Sequence, residues 1–189
     1  ARSLVVPVTG ESVSKMMKFT HQIITESSYS LMLDSQKREV HKAIANEYEK
    51  SSVKFEMDVL AYHWLRSGDV TRGCELLQNA AIKALDIGAF KESVNSLSQA
   101  IAYGNNLDKD RVAYWTALLG YCRYSYGDQY AADHMMLQAC KILDDKSFDP
   151  QKRTQASIEK MIRQYGAFDD LPPTVDNNVS YADKAKAMI

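Results

Sequence analysis

Apolar residues recur at helical spacing along most of this chain. Val40, Ile44 and Tyr48 stand four apart, which places them on one face of a helix. The pattern predicts a first helix over residues 21 to 33. A second follows to about residue 50, with Asp34 as its N-cap. Residues 4 to 8 and 16 to 19 are the strand-like exceptions, with short apolar runs.

From residue 54 glycines punctuate long helical stretches at Gly68-Asp69, Gly88-Ala89 and Gly127-Asp128. Aligned on them, the same offsets return. Five residues after each glycine comes a small or hydroxyl residue: Gly73, Ser93, Ala132. Nine after comes a large apolar residue: Leu77, Leu97, Met136. Twelve after comes alanine: Ala80, Ala100, Ala139. Eight before come Leu60, Ala80 and Leu119, followed by Ala61, Ala81 and Gly120. This resembles the tetratricopeptide (TPR) pattern of helix, glycine turn and antiparallel helix. Helices approach closely only where neither carries a bulky side chain. The glycine supplies the left-handed residue that ends the first helix. Ala80, Ala100, Gly120 and Ala132 are therefore expected at close crossings. The first two glycines lie 20 residues apart and the next interval is 39, so the array is irregular. The stretch 74–86 is expected to be second helix of one hairpin and first helix of the next.

Asp149-Pro150 opens a further predicted helix, running to about Tyr165 with Gly166 as its stop. Periodicity then fails through Pro172-Pro173 and the polar cluster after it, which reads as an extended tail or linker. Residues 181 to 189 form a candidate short helix that docks elsewhere.

A second resemblance rests on Phe19-Thr-His21-Gln-Ile23-Ile24-Thr-Glu26-Ser-Ser28-Tyr29, followed by Arg38-Glu-Val40-His41-Lys-Ala-Ile44-Ala45. This run resembles the segment after the nucleotide-binding core of STAND-type signalling ATPases, as fused to class III adenylate or guanylate cyclases. Two positions depart from that pattern, with Ser28 at a usual Ala and Val40 at a usual Leu. The resemblance implies a fragment whose catalytic parts lie upstream. It implies that residues 1–52 end a winged-helix-like module, with Phe19, His21, Glu26, Tyr29, Arg38 and His41 as its structural signature. The expected fold is then all-α: a short, irregular TPR-like α-solenoid over 53–166, preceded by that module and followed by a tail over 167–189. The implied role is regulatory scaffolding in a cyclase-linked ATPase. The alternatives are a free-standing TPR-type adaptor, or the equivalent region of a STAND-type transcriptional regulator.

Charge changes the picture only by exclusion. With 23 basic and 24 acidic residues in 189, the net charge is −1. That argues against a nucleic-acid footprint, which needs clustered Lys and Arg. No apolar run reaches the roughly 18 to 20 residues that span a bilayer, and no signal peptide is recognisable. Three cysteines without paired spacing, Cys74, Cys122 and Cys140, fit reduced thiols in a cytoplasmic setting.

The chemistry-bearing motifs are missing. No Gly-x-x-x-x-Gly-Lys-[Ser/Thr] loop, Gly-x-Ser-x-Gly elbow, His-Glu-x-x-His or Cys-x-x-Cys occurs. No catalytic residue, cofactor or metal site is assigned. His21 and His41 read as packed histidines bonded to backbone. Glu26 and Arg38 read as a structural ion pair or as surface charges. His63-Trp64 and His134-Met135-Met136 read as core features of repeat helices. The dense tyrosines from Tyr103 to Tyr130 are the remaining candidate. Tyr114, Leu118 and Tyr121 form one stripe, a candidate lining for a concave groove that takes a peptide or another part of the parent chain. The competing reading is packing between helices.

Overall fold

The computed structural model describes residues 5–7, 17–19, 21–51, 56–144 and 180–189, with backbone alone for the first two stretches. The described chain is all-helical apart from one small hairpin. In that hairpin β1 (Val5–Pro7) runs antiparallel to β2 (Met17–Phe19), with Val5 opposite Phe19. Eight described helices follow: α1 (Gln22–Leu31), α2 (Asp34–Lys50), α3 (Met57–Ser67), α4 (Val70–Asp86), α5 (Phe90–Gly104), α6 (Lys109–Ser125), α7 (Gln129–Leu143) and α8 (Tyr181–Met188). From α2 to α7 each helix packs on the next, which makes the array solenoid-like. The expected helix over 150–165 and the tail before residue 180 lie outside the described residues, as does the expected boundary near 52. Across that boundary α2 packs directly on α3.

The Gly-Asp pairs do two jobs. Gly68, Gly88 and Gly127 take φ of 97°, 72° and 91° and stop α3, α4 and α6. Asp69 and Asp128 then cap the next helix, accepting from Arg72 N and Ala131 N at 3.1 Å each. Gly88 is followed instead by Ala89, which has the same kind of backbone (φ −81°, ψ 64°) and no side-chain cap. Asp34 is not a cap. Leu33 holds the N-cap position of α2, and its N–H donates to Gln36 Oε1 at 2.9 Å.

The repeated offsets land in the core. Ala61, Ala81 and Gly120 are buried, as are Gly73, Ser93, Ala132, Leu77, Leu97 and Met136. Ala100 and Ala139 are buried too, whereas Ala80 is only half-buried. Because α4 serves two hairpins, the inward position at that end falls to Ala81. The crossings are tight. A Cβ on Gly73 would stand 2.5 Å from Leu65 Cγ, and one on Gly120 would stand 3.2 Å from Ala132 O and Met135 Cβ. In the 39-residue interval the break falls at Asn105–Asp108, a turn without a left-handed glycine. Gly104 is there for another reason: a Cβ would lie 2.5 Å from Trp115 Cζ3.

α6 is the axis of the core. Residues 113 to 120 are all buried, an unbroken run that only a helix covered on every side can show. α5, α7 and α8 pack against it, and two polar links tie it to α4: Trp115 Nε1 donates to Gln78 Oε1 at 2.7 Å, and Arg111 pairs with Glu75 at 2.9 Å. No helix among the described residues is long and apolar enough to cross a membrane.

Candidate functional site

Two constellations stand out. The first joins α1, α2 and α3. His41, buried on α2, presents both ring nitrogens to side chains. Its Nε2 lies 2.9 Å from Tyr29 Oη on α1, and its Nδ1 lies 2.9 Å from His63 Nδ1 on α3. Tyr62 sits edge-on to His41, and Tyr48 edge-on to His63. An Nδ1–Nδ1 bond requires one donor and one lone pair. Either ring can donate, and Tyr29 adapts because its hydroxyl both donates and accepts. The bond cannot survive a proton on both Nδ1 atoms. Desolvation first, then the nearby His63 and Arg66, hold His41 below the ordinary imidazole range; desolvation does the same for His63. Lys37 lies over the Tyr29 ring at 5.3 Å and adds positive charge nearby. Further along α2, Glu49 accepts from Trp64 Nε1 at 3.0 Å and pairs with Arg72, whose guanidinium stacks 4.1 Å from the Trp64 ring.

The signature residues divide around this cluster. Tyr29 and His41 are bonded to each other. His21 stands exposed at the N-cap of α1, apart from the cluster. Its expected backbone-bonded packing is not found among the described residues, where its side chain is exposed. For His41 the expected backbone bond is replaced by side-chain bonds, because α1 and α3 deliver Tyr29 and His63 to its two nitrogens. Glu26 and Arg38 do not pair. Glu26 accepts from Gln22 Nε2 one turn back at 2.7 Å, and Arg38 is exposed. Phe19 lies on β2. His63 is the participant that sequence reasoning missed. Its adjacency to Trp64 suggested core, and nothing in the spacing pairs it with a residue 22 positions earlier.

The second constellation is the tyrosine stripe on α6. Tyr114 is 1% exposed and Leu118 is fully buried, while Tyr121 is half-buried. A groove lining would leave the Tyr114 hydroxyl partly exposed; it is buried instead, because α8 lies over this part of α6. Tyr181 of α8 places its ring 5.6 Å from that of Tyr114, and Ala185 and Met188 complete the contact in the core. Tyr114 Oη is buried without a hydrogen bond, and desolvation, then Tyr181, push its phenol well above the ordinary range.

A scan against protein families, a search of curated proteins and a search of solved structures found no match.

What the arrangement can do chemically is therefore read from the chain alone. Among the described residues no three His, Cys, Asp or Glu side chains converge as a metal site. The three cysteines are buried and form no disulfide among the described residues. Burial pushes Cys74 and Cys122 up to about 11, which makes them poor nucleophiles at neutral pH. Cys122 instead shares a 3.3 Å contact with the Ser93 hydroxyl between α5 and α6. The two constellations are contacts between elements, and each fixes the position of a peripheral helix on the stack.

Proposed function

We propose that this chain acts by contact: a non-catalytic regulatory scaffold within a multidomain signalling ATPase of the STAND type, linked to a nucleotide cyclase. In this reading the N-terminal helices receive a change from the nucleotide-binding part of the parent and pass it to the helical stack. The observation that carries it is the Tyr29–His41–His63 chain, which bonds one side chain from each of α1, α2 and α3 in series. Two of its three members belong to the motif that resembles the ATPase segment. A tethered but independent N-terminal region would need no such polar link, since buried hydrogen bonds cost desolvation and return their value through geometry.

The test is made in the parent. His41→Gln should blunt the response of cyclic-nucleotide output to ATP while leaving the basal catalytic rate intact. An unchanged response would count against the relay. The second reading is a free-standing adaptor, favoured by the helix seat on α6. A parent without a nucleotide-binding core would select it.

A further inference from the structure

The Nδ1–Nδ1 bond between His41 and His63 limits how many protons the joint between α2 and α3 can hold. With both rings neutral the series is satisfied. One Nδ1 donates to the other across 2.9 Å, and the Tyr29 hydroxyl meets His41 Nε2 at 2.9 Å as donor or acceptor. One added proton leaves the bond in place, since a single Nδ1–H still meets a single lone pair. A second proton removes that lone pair and sets two cations against each other. The groups around the pair offer no relief. They are Tyr29 from α1 with Lys37 over its ring, Tyr48 from α2, and Tyr62 and Arg66 from α3; none of these is a carboxylate. Little else holds this end of the joint. α1 buries no residue, and α2 buries only His41 and Ala45. The bonds of Glu49 to Trp64 and Arg72 lie eight residues further along α2, about 12 Å away at the rise of a helix.

We propose that the His41–His63 pair is an acid-operated release: uptake of two protons breaks the joint, and α1 with the first half of α2 swings off α3 while Glu49 keeps the far end of α2 on the stack. This rests on the reading that Tyr29, His41 and His63 fasten the N-terminal helices, and it adds what undoes the fastening. Burial holds both rings below 6.5 in the joint, and His63 and Arg66 hold His41 lower still. Once freed into water, each ring takes a proton as pH falls through about 6.5. The joint is therefore at full strength above that pH and weakens below it. Each released ring raises the opening constant by up to about tenfold between about pH 7.5 and about pH 5.5, and the pair by up to about 100-fold.

The test is native-state hydrogen exchange on the whole chain across that range, with rates corrected for the intrinsic pH dependence of amide exchange. Protection in α1 and the first half of α2 should fall by more than about tenfold, while α4 and α6 keep theirs. No fall in α1 and α2, or a fall of the same size in α4 and α6, would overturn the proposal. In His63→Gln one titrating ring remains, so the fall should shrink to about tenfold or less. A fall as large as in the unaltered chain would assign it to other groups and overturn the proposal. Imidazole titration by NMR gives an independent arm. His41 should titrate at higher pH in His63→Gln than in the unaltered chain, because the opposing charge is gone; an unchanged His41 titration would overturn the pairing. If the pH series fails while His63→Gln still loosens α1 at about pH 7.5, the release is wrong and the fastening stands. If His63→Gln loosens nothing at that pH, the fastening falls with it.

Discussion

At the scale of the residue, the histidine pair makes a signed statement about pH. Both imidazoles are held below the ordinary 6.5, so the folded chain favours their neutral forms. The unfolded chain takes up those protons as pH falls through about 6.5. Below that it binds more protons than the fold, and stability declines toward the folded-state values. Desolvation is the larger cause for both rings, and at His41 the opposing imidazole and then Arg66 add to it. The urea midpoint should therefore fall between about pH 7.5 and about pH 5.5, and His41→Gln should reduce that fall. A drop of equal size in the variant would assign it to other groups. A steric prediction sits at Gly104. Alanine there drives a methyl into the Trp115 ring, an overpacking cost of about 1–3 kcal/mol, read as a lowered denaturant midpoint. The offset arithmetic did not single out Gly104, because its glycine requirement comes from a ring 11 residues ahead across a turn, not from a helix end.

At the scale of the element, the glycine register was legible because each turn carries its own local chemistry. A left-handed glycine stops one helix and, at Asp69 and Asp128, an acid starts the next. The α5–α6 break was illegible for the same reason: its turn uses Asn105 and Asn106 without a left-handed residue. The exception at Ala89 gives a prediction of opposite sign. Its backbone matches the two aspartate caps, so Ala89→Asp should accept from the first turn of α5 and raise stability by about 1 kcal/mol, read as an increased Tm. No change would mean that the first turn of α5 is already satisfied. The tyrosine stripe shows the limit of one-dimensional reading. Spacing put Tyr114, Leu118 and Tyr121 on one face, but only the fold brings a helix from more than 60 residues later onto that face. A short helix over 181–189 was legible from composition, whereas its seat was not.

At the scale of the whole molecule, the all-α, solenoid-like fold follows from local signals that agree with one another, which is why it could be read from the sequence. Position within that fold could not. His41 and His63 belong to separate patterns, and their bond is a product of how α2 lies along α3. The central claim is that the N-terminal helices are fastened to the stack through Tyr29, His41 and His63. α1 buries no residue of its own, so this link should dominate its docking. The most direct measurement is native-state hydrogen exchange on the whole chain with and without His63→Gln. The account predicts faster exchange in α1 and the first half of α2 together with α3, although the substitution lies on α3 alone. A rise confined to α3, with α1 and α2 unchanged, would contradict it.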